Sequence, residues 1–359
     1  MSWVLAFLGF ALLIILHELG HFAAAKAVGM RVERFALFFP PLIARHRRGE
    51  TEYAVGAIPL GGYVKITGMN PAEKIPPELA DRAYFRQPVW KRIVVIAAGP
   101  VVNIVLAFAI FTGIALHLGE ATGRTQLEEL TAGAPAAKAG LREGDVILSV
   151  DGERDRAKYP ELIASHTCAG EQRVGCQARE PVVIEIQRGE ERRQVQVTPR
   201  HSASDPPARP RIGVVFGPER GPIALPGAMR VSLDQMWAIT SGTVSTIAQI
   251  FKPEKREQIS GVVGNYEVTR QAIELSAVQA IFLLGVISLS LGVINLFPFL
   301  PLDGGHIFWA VVEKVRGRSI PLSVMERAGF VGFALVIALF VVGLTNDIDR
   351  LTGEGLTPR

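Results

Sequence analysis

Four stretches of this chain run for a membrane-scale length without a single Asp, Glu, Lys or Arg. They are Ser2 to Leu16, Ile93 to Gly119, Leu275 to Leu302 and Ala328 to Asn346. Nothing else in the sequence constrains the fold as strongly. A helix crosses bilayer hydrocarbon with about 20 mostly apolar residues. The last three stretches reach that length to within a residue, and the first does so if it runs on through two histidines to Ala25. In hydrocarbon every backbone N–H and C=O must be paired inside the protein, so stretches of this kind fold as helices. With 49% hydrophobic and only 20% charged residues, the chain reads as a polytopic α-helical membrane protein with four transmembrane helices. The first Lys or Arg is Lys26. The opening therefore lacks the basic region of a cleaved signal peptide and reads as an uncleaved span.

Orientation follows from basic residues in short loops. Twelve Lys or Arg lie between Lys26 and Arg92, four lie between Pro298 and Arg327, and none precedes the first span. This predicts an extracytoplasmic N-terminus, middle domain and C-terminus. The formal net charge of +4 is thereby accounted for by cytoplasmic loops, and no nucleic-acid partner is expected. The expected layout is a first span over 1–28, a cytoplasmic-side loop over 29–90 and a second span over 91–119. A soluble α/β domain follows over 120–200, a linker over 201–227, and an interfacial helix and connector over 228–274. The third span covers 275–297, a loop 298–327, the fourth span 328–346 and a tail 347–359.

Within the first loop, Thr51 to Ile58 and Tyr63 to Thr67 read as two short strands around a Pro-Leu-Gly-Gly turn. The soluble domain shows a helix, a turn and the strand Val146 to Val150, then two alternating strands joined by Arg-Gly-Glu. Ala228 to Phe251 reads as a helix with Met229, Leu233, Trp237, Val244, Ile247 and Phe251 near one face. Cys168 and Cys176 stand close together in the outside domain, either bridged or as two thiols.

The first span carries the chemistry. His17 and His21 in "HELGH" are four residues apart, one turn along the same helix face. Two imidazoles at that spacing can hold one Zn²⁺. Glu18 beside them can take a proton from an attacking water and return it to a leaving amine. This is the H-E-x-x-H signature of zinc proteases. A charged group in the middle of a span costs about 2.5–3.5 kcal/mol on insertion scales, so polar residues here imply a task. A third ligand must come from the same depth. The third span ends at "NLFPFLPLDGGH", where two prolines break the helix and Asp303 follows. Asp303 has a carboxylate at about the right depth. His306 competes with it but lies further along the loop. Asn103 is a further polar residue at membrane depth and reads as a partner across helices.

Four blocks, "HELGHF", "GETEYAVGAIPLGGYVKITGM", "AAGPVVNIVLA" and "NLFPFLPLDGGH", occur in the order found in a known family. The chain resembles the site-2 protease family of intramembrane zinc metalloproteases, in its bacterial form with an extracytoplasmic PDZ domain. The PDZ-like segment would be "AGLREGDVILSVDGE". The resemblance implies one Zn²⁺ on His17, His21 and Asp303, with Glu18 as catalytic base. It implies a role near bound substrate for Asn295, and a re-entrant β-hairpin whose Tyr53, Val55, Gly62, Tyr63 and Lys65 would meet an extended substrate. It further implies regulated intramembrane proteolysis in the cell membrane, with the active site toward the cytoplasmic side. Its substrates would be single-span membrane proteins within the lipid bilayer, either anti-sigma factors already trimmed by a first protease or remnant signal peptides. The chain departs from the family's pattern at "FALFFPPLIARH", which lacks a Gly-rich form, at Pro301, which is shifted by one, and at "ISGVVGNY", which lacks a proline. The alternative is a catalytically inactive, PDZ-bearing membrane adaptor with a structural metal site. Under that alternative Glu18 has no task, and a closed structural site wants a fourth protein ligand.

Overall fold

The computed structural model describes residues 2–70, 73–168, 170, 173–201, 209–249, 262–318 and 320–352. The chain forms two compact units, one of residues 1–115 and 225–359 and the other of residues 116–224.

The first unit holds the apolar helices. These are α1 (Ser2–Ala27) and α2 (Val89–Leu118), and, after the second unit, α5 (Leu225–Ala248), α6 (Val262–Leu275), α7 (Ala277–Asn295), α8 (Asp303–Arg316) and α9 (Leu322–Thr352). Four of the described helices, α1, α2, α7 and the 323–349 part of α9, are long and apolar enough to cross a membrane. Their burial pattern inverts that of a soluble helix. Along α1 the buried residues are, apart from Leu13, small or polar: Ala6, Ala11, His17, Gly20, His21 and Ala25. Trp3, Leu5, Phe7, Leu8, Leu12 and Leu19 point outward. Lipid tails solvate leucine as well as another leucine does, so close helix contacts fall to small and polar side chains.

Between α1 and α2 lies a sheet of two long strands, β1 (Val32–Arg48) and β2 (Thr51–Ile66), joined at Gly49-Glu50. Here the structure corrects the sequence reading. Residues 51–58 and 63–67 do not pair with each other. Residues 34–37 lie between them: Phe35 is registered with both Tyr53 and Val64, Ala36 with both Ala54 and Tyr63, and Leu37 with both Val55 and Gly62. The missed strand, β1, is hidden by Pro40-Pro41 and by an unalternating "FALFFPPLI" run, both of which argue against a strand. The sheet lies along α1. Phe22 packs on Phe35 and Tyr53, Gly62 lies against Ile14, and Phe38 packs on Phe7.

A clamp of charges closes the base of the sheet. Glu50 accepts from both terminal guanidinium nitrogens of Arg82 at 2.8 Å and from Lys26 at 2.5 Å. Arg82 and then Lys26 hold the Glu50 carboxyl down to about 2 from 4.5, against the opposing effect of burial. A carboxyl lowered on folding stabilises the fold fully above its unfolded value and loses that contribution as pH falls through the folded one. Acid unfolding of the wild type is therefore expected to steepen between about pH 4.5 and about 2. Glu50→Gln should flatten that limb, as measured by thermal unfolding in detergent at stepped pH. An identical pH profile for the two proteins would refute the role of the clamp.

The second unit is a five-stranded antiparallel sheet in the order β6-β5-β4-β3-β9. Its strands are β3 (Glu120–Leu130), β4 (Val146–Val150), β5 (Val182–Arg188), β6 (Glu191–Val197) and β9 (Val214–Gly221). Helices α3 (Pro135–Lys138) and α4 (Tyr159–Ser165) and a two-residue pair, β7 (Arg200–His201) with β8 (Pro210–Arg211), complete the unit. Val182, Ile184 and Ile186 alternate inward from β5 onto Leu127, Val150, Tyr159 and Ile163. β4, β5 and β6 match the sequence expectation. β9 lies in the stretch expected to be linker, because its "GPERG" ending reads as a turn. β3 was likewise not anticipated. Cys168 and Cys176 are bridged, which resolves the alternative left open by sequence.

α5 begins three residues before the expected helix, and its expected end at Phe251 lies outside the described residues. Its apolar Met229, Leu233, Trp237 and Val244 are exposed. Its adjoining face packs on two spans, with Met236 against Ala107, Phe111 and Leu289, and with Thr112 donating to Ser232 Oγ at 3.1 Å. α6, expected as connector, packs at the opening of α1, where Tyr266 donates to the Trp3 carbonyl at 2.6 Å. Of the "ISGVVGNY" stretch, residues 259–261 lie outside the described residues.

Candidate metal centre

His17 and His21 face inward from α1, 7% and 6% exposed. α7 ends at Asn295, and the chain turns through residues 296–302 before α8 begins at Asp303. Sequence reading placed Asp303 in a loop. It is instead the first residue of a 14-residue helix, a position where a carboxylate is favoured by the helix dipole. The following Gly304 makes the turn tight: a Cβ there would lie 2.2 Å from the Leu296 carbonyl oxygen. α8 is tied to α2 by Arg92, 3% exposed, which donates to both carboxylate oxygens of Glu313 at 3.0 and 2.8 Å.

The outcome is a triangle of ligand atoms. Asp303 Oδ2 lies 3.2 Å from His17 Nε2 and 3.3 Å from His21 Nε2, and the two Nε2 atoms are 3.3 Å apart. Zinc bonds of about 2.0–2.1 Å at tetrahedral angles separate neighbouring ligand atoms by about 3.3–3.4 Å. The three edges fit that geometry. Among the described residues Oδ2 of Asp303 also has no hydrogen-bond partner, which is unusual for a buried carboxylate oxygen and suits a ligand atom. His21 Nδ1 lies 2.9 Å from the Val95 carbonyl. A carbonyl can only accept, so Nδ1 carries the proton and Nε2 keeps its lone pair for a metal. His17, His21 and Asp303 therefore form a donor set that fits zinc. The other three-residue group of this kind among the described residues, Cys168, Cys176 and His201, has both sulfurs in the disulfide. His306 lines a small recess with Tyr84, Arg92 and Trp309.

Glu18 is half-buried, and the sheet covers it: a Cβ on Gly62 would lie 2.7 Å from Glu18 Cγ. The expected substrate-contacting residues divide into two sets. Gly62, Tyr63 and Lys65 belong to the arm of β2 next to Glu18. Tyr63 stacks on Phe39 and receives a hydrogen bond from Arg34 at 3.2 Å, while Lys65 pairs with Glu33 at 2.7 Å. Tyr53 and Val55 lie inside the sheet, registered with Phe35 and His46, and with Leu37 and Ala44. Their backbone is flanked on both sides, so it offers no edge to an added strand. Asn295 is the last residue of α7. Sequence reasoning missed Val95 and Gly99. A backbone carbonyl and an absent side chain leave no chemical signature in a sequence.

Apolar helices enclosing two histidines and a carboxylate, with a glutamate alongside, define a membrane-embedded metalloprotease. The sequence profile of peptidase family M50 matches residues 5–339, and the chain belongs to that family. It is 28% identical to the zinc metalloprotease Rip1 of Mycobacterium tuberculosis, over 97% of this chain and 98% of that one. It is 30% identical to the metalloprotease MmpA of Caulobacter vibrioides, over 95% of this chain and 93% of the relative. The protein is an intramembrane zinc metalloprotease of the site-2 type, and zinc is its cofactor. The adaptor alternative falls with this finding.

Proposed function

We propose that the protein hydrolyses a peptide bond within the transmembrane segment of a single-span membrane protein. The carrying observation is the meeting, among apolar helices, of the His17–His21–Asp303 triangle, Glu18 and one arm of β2. His17, His21 and Asp303 hold the metal. When bound, zinc supplies Lewis acidity to the scissile carbonyl and to the attacking water. Glu18 takes the proton from that water and delivers it to the leaving amine. A transmembrane helix must unwind before it is cut, which strips its backbone of hydrogen bonds. Residues 62–66 offer replacements by strand addition, with Asn295 near the bound segment. The sheet is re-entrant: its contact with Phe7, deep in the first span, supports that reading.

The second unit acts as a PDZ-like domain that receives the extracytoplasmic end of the substrate. The N-terminus, this unit and the C-terminus lie outside the cytoplasm, and the active site lies toward the cytoplasmic side. Anti-sigma factors trimmed by a first protease, or remnant signal peptides, are the substrates that suit this layout. The test offers purified, zinc-loaded protein a single-span substrate lacking its outside domain, with an unfolded soluble chain as comparison. Cleavage inside the span, lost with chelator, is expected. Cuts confined to residues outside the span, or none with zinc bound, would overturn the proposal.

A further inference from the structure

α2 turns three positions toward the histidines of α1, each four residues beyond the last. The Val95 carbonyl receives His21 Nδ1. Gly99 leaves the space filled by the His21 ring, since a Cβ there would lie 2.3 Å from His21 Nε2. Asn103 brings its side-chain amide nitrogen 3.3 Å from His17 Nδ1. Asn103 is fully buried, and its Oδ1 has no hydrogen-bond partner among the described residues.

With the amide nitrogen donating, His17 Nδ1 would have to be the acceptor. Its ring proton would then sit on Nε2, the atom that faces Asp303 and His21. That tautomer cannot ligate a metal through Nε2. Turning the amide over exchanges oxygen for nitrogen at nearly the same positions. Oδ1 then accepts from His17 Nδ1–H, the orphaned oxygen gains a donor, and Nε2 is left with its lone pair. His17 would thus be held as His21 already is by Val95. The backbone around Asn103 is anchored separately, because Ser288 Oγ, from α7, donates to the Asn103 carbonyl at 2.9 Å.

We propose that Asn103 is a positioning residue, whose side-chain oxygen accepts the His17 Nδ1 proton and commits Nε2 of His17 to the metal side. The proposal rests on His17 being a zinc ligand. Its test is zinc affinity of the full chain in detergent, read by competition with a chromophoric chelator. Asn103→Leu and Asn103→Ala remove the acceptor and are expected to raise the zinc Kd about 10–100-fold. Asn103→Asp keeps an acceptor oxygen in place and should stay within about threefold of wild type. Ser288→Ala disturbs only the backbone anchor and should leave the zinc Kd unchanged. Thermal unfolding of the metal-free proteins identifies any variant that is misfolded, and the Leu and Ala variants back each other up. An unchanged Kd in both, or an equal loss in the Asp variant, would overturn the proposal. Failure of the underlying assignment has its own mark: His17→Ala would then bind zinc as tightly as wild type, and the role of Asn103 falls with it.

Discussion

Glu18→Gln is expected to slow cleavage of a transmembrane substrate by at least about 10³-fold while zinc content stays at the wild-type level. Proton transfer by a positioned side chain contributes typically about 10²–10⁴-fold. Glu18 handles one proton twice, taking it from water and giving it to the leaving amine. Glutamine has nearly the same shape and volume, so Gly62 keeps its neighbour. It can neither take that proton nor pass it on. Metal analysis and a cleavage assay on the same preparation separate the outcomes. Cleavage at the wild-type rate would remove Glu18 from the chemistry. Loss of zinc along with activity would instead make Glu18 part of the metal site.

The second large effect is expected at a residue with no side chain. Gly99→Ala puts a Cβ 2.3 Å from His21 Nε2 and 2.6 Å from Cε1. Neither atom is the far end of a flexible chain: the ring is pinned by its Nδ1 hydrogen bond to the Val95 carbonyl. α1 and α2 must separate, or the ring must leave the triangle with His17 and Asp303. Forcing extra volume into a packed site costs about 1–3 kcal/mol, and misplacing a catalytic group by about 1 Å can cost about 10²-fold in rate. Gly99→Ala should therefore cut proteolysis by about 100-fold or more and weaken zinc binding, with only a modest fall in the metal-free unfolding temperature. Full activity in this variant would show that α1 and α2 stand further apart than the structure has them.

Legibility in the sequence tracked the kind of physics involved. The spans were legible because membrane insertion is decided by local composition. His17, Glu18 and His21 were legible because ionisable groups in an apolar helix demand a reason. Asp303 could be ranked from the prolines that break the third span, although its place at the head of a helix could not. The sheet was half legible. "TEYAVGAIPLGGYVKI" shows its strands, but its pairing with residues 32–48 depends on a partner whose prolines disguise it. β9 failed for a similar reason, since a strand ending in Gly-Pro-Glu-Arg-Gly looks like a turn until β3 pairs with it. Asn103 was visible as a polar residue that wants a partner, but only the fold names His17.

The stripe of Val95, Gly99 and Asn103 also bears on how the chain can change length. Each residue advances a helix by about 100° of rotation and 1.5 Å of rise. One residue inserted between Val95 and Asn103 would swing the later groups about a quarter-turn away from α1. The carbonyl, the gap and the amide would then no longer face the same two rings. This nine-residue window of α2 works as a ruler, and a deletion or insertion within it should be as damaging as loss of a histidine.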